Sequence, residues 1–177
     1  MPSLERIAQI SGLTAMLLAA SVMLFCVSCF HPHGAIGYRV THVAGYSIDA
    51  RFTDEEAHDI RSAVAAWEKA SKGHLVMEEE SVRWSLFHFH KWQRGELGLT
   101  SKGSVIVGLC HQDTGVIDVV PGALTRAIVI HELGHMWGLE HNEDPESFMR
   151  EDIGNVVMPD GDVKDVDLKP ACKVLGC

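Results

Sequence analysis

Apolar positions along the 177-residue chain fall into one long uncharged run, short runs of strand length, and stretches spaced for helices. The uncharged run is residues 13–30, mostly Leu, Ala, Met, Val, Phe and Cys, with Glu5 and Arg6 ahead of it. Its length suits a signal h-region with its cleavage zone, or a short membrane span. A helix is predicted from Thr53: Thr53 can cap, Glu56 sits three residues on, and acidic groups fill the first turn. Ile60, Ala63, Val64 and Trp67 then recur at 3.6-residue spacing, and Gly73 closes the helix. Residues 36–40 and 47–52 read as a first strand, 74–77 as a second and 82–92 as a third. After a glycine- and charge-bearing loop over 93–103, two β-branched runs, 104–110 and 115–120, read as buried strands. A second helix, starting between Gly122 and Thr125, presents Leu124, Ile128, Leu133 and Trp137 as its packing face. Residues 165–176 read as a closing helix, opened by two acidic residues, with Pro170 placed in its first turn.

The second helix carries the chemistry. Its apolar start, Ala127 to Ile130, leads into His131-Glu132-Leu-Gly-His135-Met-Trp-Gly138-Leu-Glu-His141. Four residues on an α-helix are about 400° of rotation and about 6 Å of rise, so His131 and His135 project from one face. That separation lets both rings reach one metal ion at about 2.0–2.1 Å. Gly138 permits the positive φ at which the helix stops and the chain reverses. His141 can then return as a third nitrogen ligand. Three protein ligands leave a fourth tetrahedral position open, the mark of a catalytic rather than a structural zinc site. Glu132 can reach that open side without ligating, as the general base of a His-Glu-x-x-His arrangement.

The full string, His-Glu-x-x-His-x-x-Gly-x-x-His, is the zinc signature of the metzincin metallopeptidases, and the chain resembles that family at every defined position of it. The similarity is nearest to the matrixin branch in a minimal, bacterial-type form. Met149 stands eight residues after His141, where matrixins have the methionine that floors the metal site, and Pro145-Glu146 precede it as they often do there. Met158 is a competitor beside the surface turn Pro159-Asp-Gly161, and the 165–176 segment resembles the matrixin closing helix. The resemblance implies an α+β, zincin-like catalytic domain over residues 36–177. In it a twisted mixed β-sheet with an antiparallel edge strand packs on two long helices plus a C-terminal helix. It implies one catalytic Zn2+ on His131, His135 and His141, with Glu132 as base and Gly138 and Met149 as structural support. The activity implied is a zinc endopeptidase taking protein or peptide substrates in extended form along the edge strand. One of the two last strands is that edge; the pattern does not choose between them. The rival readings are a zinc-binding interaction protein without catalysis, which the intact Glu132 argues against, and a zinc hydrolase of non-protein amides. Selectivity would come from the segment between Asn142 and Val157, beside the third histidine. The cysteine-bearing propeptide of matrixins is missing from the short 30–35 linker, and neither calcium nor a second zinc is supported by sequence. His88 and His90 share a face of the third strand and could hold metal, but no companion Asp is evident at that family's spacing; His111 alone might approach.

Composition narrows the setting. A formal net charge of −9 argues against nucleic-acid or anionic-membrane binding through a basic surface, and a single-chain monomer is expected. The uncharged run places the domain outside the cytoplasm, secreted or anchored. Val27-Ser28 before Cys29 looks like a lipoprotein processing site, although Cys26 stands where that pattern usually has Leu. Beyond these two, Cys110, Cys172 and Cys177 allow one disulfide and one free thiol; Cys172–Cys177 is the local choice and the pairing stays open. Lipidation at Cys29 is tested by Cys29→Ser, which is expected to abolish palmitate labelling and free the chain from the membrane fraction. A Cys29→Ser chain that stays with the membrane would point instead to an uncleaved anchor.

Overall fold

A computed structural model describes residues 43–93, 97–99, 105–151 and 161–177. The uncharged run, Cys26 and Cys29, the strand expected at 36–40, most of the 93–103 loop, Met158 and the start of the turn at Pro159 lie outside these residues. The described elements are β1 (Val43–Ile48), α1 (Asp54–Ala70), β2 (Val76–Glu79), β3 (Phe87–Lys91), β4 (Gly108–His111), β5 (Val116–Val119), α2 (Arg126–Met136) and α3 (Asp165–Leu175). All belong to one compact unit, Ala35–Cys177.

The first strand ends earlier than its apolar pattern suggests, because Asp49 makes a turn. Its carboxylate accepts the Arg51 N–H at 3.0 Å and its carbonyl accepts the Phe52 N–H at 3.1 Å. Thr53 follows at once as the α1 cap, with both halves of the capping box formed: Glu56 N–H to Thr53 Oγ1 at 3.2 Å and Thr53 N–H to Glu56 Oε2 at 2.8 Å. The third strand is also shorter than the 82–92 run. Residues 82–84 form a turn instead, and Val82 and Trp84 stand exposed.

Five strands form one sheet in the order β2-β1-β3-β5-β4, parallel except for the antiparallel β4–β5 pair. This settles which of the last two strands is the edge: it is β4, which among the described strands pairs with β5 alone. Side chains alternate across the sheet, so Ala44, Tyr46, Met77, Phe87, Phe89, Ile117 and Val119 face the helices and are buried. Residues between them, Ser47, His88, His90 and Asp118 included, face the other way.

α1 lays Ile60, Ala63, Val64, Ala66 and Trp67 against that inner face and against α2. α2 is not amphipathic. Ile128 through Gly134, together with Met136, are buried, because α1, the sheet and the chain around Met149 cover it on several sides. Trp67 joins the two helices: it is fully buried, donates from Nε1 to the Ile130 carbonyl at 3.1 Å, and meets Trp137 edge-on at 6.4 Å. α3 starts at Asp165, so Pro170 is its sixth residue rather than a first-turn residue. The proline is tolerated there because it lies exposed, where water can serve the Val166 carbonyl that its missing N–H leaves without a helical partner. Cys172 and Cys177 form the disulfide at the end of α3, leaving Cys110 as a free, half-buried thiol.

Trp67→Phe keeps most of the buried volume and deletes the interhelical hydrogen bond. It is expected to cost about 1–3 kcal/mol in urea unfolding. An unchanged unfolding midpoint would remove Trp67 as the tie between α1 and α2.

Candidate metal centre

Thr125 caps α2, its hydroxyl accepting the Ile128 N–H at 3.4 Å, and the helix runs through both histidines before stopping at Trp137. The stop is a Schellman motif. Gly138 takes φ 78°, its N–H reaches the His135 carbonyl at 2.9 Å, and the Leu139 N–H reaches the Gly134 carbonyl at 3.0 Å. The reversal expected at Gly138 therefore forms, and it brings His141 back to the helix. The three imidazole Nε2 atoms stand 3.0 Å (His131 to His135), 3.2 Å (His135 to His141) and 3.2 Å (His131 to His141) apart. Among the described residues this is the group whose ligand atoms converge as a metal site requires.

Backbone carbonyls fix two of the rings. His131 Nδ1 lies 2.6 Å from the Phe148 oxygen and His135 Nδ1 lies 2.8 Å from the Leu139 oxygen. A carbonyl only accepts, so in each case Nδ1 carries the proton and Nε2 carries a lone pair. Those lone pairs point at one another, an arrangement that neutral rings alone would oppose and a cation would relieve. Two nitrogens bound to one tetrahedral zinc at about 2.05 Å stand about 3.3 Å apart, close to the spacing found. Electrostatics agree, since a ligand imidazole must be neutral. Burial, then the neighbouring His135, holds His131 down to about 3, and burial also lowers His135. The donor set fits a zinc ion.

Met149 is fully buried against the helix turn between His131 and His135. What the sequence reading missed is the partner it rests on. A Cβ added to Gly134 would stand 2.3 Å from the Met149 sulfur, so the second unspecified position of His-Glu-x-x-His must be glycine for the thioether to fit. The chain from His141 to Met149 closes on itself through the Asn142 N–H to the Met149 carbonyl at 2.9 Å.

Glu132 projects under the edge strand and is 5 % exposed. Gly108 faces it so closely that a Cβ there would meet Glu132 Oε1 at 2.5 Å. Burial pushes the Glu132 carboxyl up to about 8, against a smaller opposite effect of the Cys110 backbone. Just before β4, the Val107 carbonyl accepts from the Val120 N–H at 2.9 Å, so by strand alternation Gly108 and Cys110 turn their backbone groups away from β5. The open edge of the sheet therefore runs directly over Glu132. Gln112, just beyond β4, donates to the His135 carbonyl and ties the hairpin to the metal helix.

His88 and His90 do share the outer face, and the acidic companion not visible in the sequence is Asp118. Its carboxylate takes His90 Nδ1 at 2.5 Å and His111 Nε2 at 3.0 Å, one imidazole on each oxygen, while His88 Nδ1 pairs with Ser47 Oγ at 2.8 Å. The register that sets His90 beside Asp118 crosses between distant strands, so no local spacing announces it.

No family model matches the sequence, and no curated protein matches it. Among solved structures the chain is similar to high choriolytic enzyme 1 (HCE-1), a hatching enzyme zinc-protease from Oryzias latipes (medaka fish). The TM-score is 0.51 at 12 % identity, over 76 % of this chain and 90 % of that one. The mixed α/β fold matches that of a zinc-protease catalytic domain. At such identity the likeness speaks for the fold alone.

Gly134→Ala sets two effects against each other. Helix propensity favours alanine by about 1 kcal/mol, whereas forcing a methyl into the Met149 sulfur costs about 1–3 kcal/mol and displaces the floor of the site. The clash is expected to win, so the variant should unfold at lower denaturant and retain less zinc by metal analysis. A more stable variant with full zinc would separate Met149 from Gly134.

Proposed function

We propose that the protein is a zinc-dependent endopeptidase of the metzincin clan, nearest to its matrixin branch. The observation that carries this reading is the convergence of three imidazole Nε2 atoms, two of them held as lone-pair donors, on a helix whose buried Glu132 lies under the edge strand. The eight-residue spacing from His141 to Met149 favours the matrixin branch.

Zinc on His131, His135 and His141 supplies a Lewis acid that polarises the scissile carbonyl and makes water a stronger acid. The rest is done by this chain's own groups. The outward backbone groups of Gly108 and the Cys110 carbonyl pair with an extended peptide and lay it along β4, while the Cys110 N–H is held by Glu132. Glu132, held against Gly108, takes the proton of the attacking water on a carboxylate oxygen and returns it to the departing amine nitrogen. A carboxyl whose affinity for protons is raised by burial is suited to that exchange near neutral pH. His131, His135, His141 and Glu132 complete the site within one copy of the chain, so no second copy is needed to build it. The protein acts outside the cytoplasm, a placement supported by the uncharged 13–30 run and by the Cys172–Cys177 disulfide.

Purified protein is expected to hold about one zinc per chain and to cleave casein, with a hydroxamate chelator stopping the cleavage. Glu132→Gln should retain zinc while losing roughly 10²–10⁴-fold in rate. Cleavage that survives that substitution would refute the mechanism. Stoichiometric zinc with no cleavage by the unaltered protein would favour a binding protein.

A further inference from the structure

We infer that Asp167, on the C-terminal helix α3, is a positioning residue for the metal centre: it gathers both ends of the segment between His141 and Met149 and through them aims His131. The inference rests on the zinc reading of the three histidines and extends it to a residue far outside the motif.

Asp167 is 1 % exposed, although it sits in the first turn of a helix whose neighbouring Asp165 is exposed. Oδ2 accepts the Phe148 N–H at 2.8 Å, and Oδ1 takes the Ser147 hydroxyl. The Ser147 oxygen is then fully used: it donates to Asp167 and accepts from Asn142 Nδ2 and from the Met149 N–H, both at 2.8 Å. Asn142 directly follows the third histidine. Phe148, held by its N–H, offers its carbonyl to His131 Nδ1 at 2.6 Å. Two hydrogen bonds joined through the Phe148 backbone thus lead from the carboxylate to the proton that keeps His131 Nε2 free as a donor to metal. A leucine at 167 could join α3 to this turn with no charge to bury. A carboxylate there, with no Lys or Arg among these partners, is suited to fixing the directions of two donors at once.

Asp167→Asn breaks that pattern with almost no change in shape. The amide has one accepting oxygen in place of two, and its NH2 would meet a Ser147 oxygen that already accepts twice. The full chain is stripped of metal and titrated with cobalt(II) alone, then with zinc against a competing chelator. The expected result is zinc affinity about 10- to 100-fold weaker, together with shifted visible absorption bands of the cobalt protein. Leu175→Ala, which loosens the packing of α3 without touching this path, serves as the control. It is expected to lower the unfolding midpoint and leave the cobalt spectrum as it was. Should Asp167→Asn fail to fold, Ser147→Ala carries the same test, because it removes the Oδ1 bond and the tie to Asn142. An unchanged affinity and spectrum in whichever variant folds overturns the inference, as does an equal change in Leu175→Ala. These outcomes leave the zinc reading standing. Unaltered protein that takes up no cobalt overturns both.

Discussion

Three imidazole Nε2 atoms converging on one point, 3.0–3.2 Å from one another and two of them bare lone pairs, are an arrangement that the protein must hold by force. Neutral rings left free would rotate to put a proton between two of the nitrogens or turn out to water. Here two of them cannot, because their other nitrogens are engaged by the carbonyls of Phe148 and Leu139. Much of the surrounding structure can be understood as the means of placing those two carbonyls. The Schellman turn at Gly138 positions the Leu139 oxygen within the helix terminus itself. The Phe148 oxygen comes from a separate turn, which needs the backbone closure between Asn142 and Met149 and the support of α3.

The same requirement explains why α2 is buried almost all round. A helix on the surface could carry the motif, but its histidines would be hydrated and free to protonate. Burial lowers the proton affinity of His131 and His135, which keeps their Nε2 lone pairs free, and raises that of Glu132. Covering the helix this fully takes α1 on one side, the sheet on another and the Met149 turn below. Trp67 and Trp137, edge-on to each other and with Trp137 edge-on to Phe87 at 5.9 Å, join these layers immediately behind the metal ligands.

What could be read in the sequence is what depends on neighbours along the chain. Helical spacing put His131 and His135 on one face, Thr53 and Glu56 announced the capping box, and the positive φ at Gly138 followed from its place beyond the last helical turn. The edge strand could not be read, because β4 and β5 are both short and β-branched runs lead into each; their order depends on pairings with β3. Asp118 was invisible for the same reason. Gly134 looked like a freely variable position, since the contact that excludes a side chain comes from Met149, fifteen positions on. Asp167 looked like an acidic residue suited to a helix dipole, and only its burial shows that it faces inward.

A fold shared at 12 % identity over 90 % of the medaka enzyme's chain shows how few positions such a domain constrains strictly. The sheet asks only for apolar side chains on its inner face, which many sequences supply. The site asks for particular atoms: imidazole nitrogens, a carboxylate, and glycines where a Cβ would stand 2.3 Å from a sulfur or 2.5 Å from a carboxylate oxygen. These demands differ in kind. Core positions tolerate exchange because burial is non-directional, whereas Gly108 and Gly134 are set by close approach and His131 by a single hydrogen bond. The tolerant positions far outnumber the others, and the three converging imidazoles all come from the eleven residues His131 to His141. Function in this protein therefore rests on the directional contacts, and the rest of the chain serves chiefly to keep those contacts dry and in register.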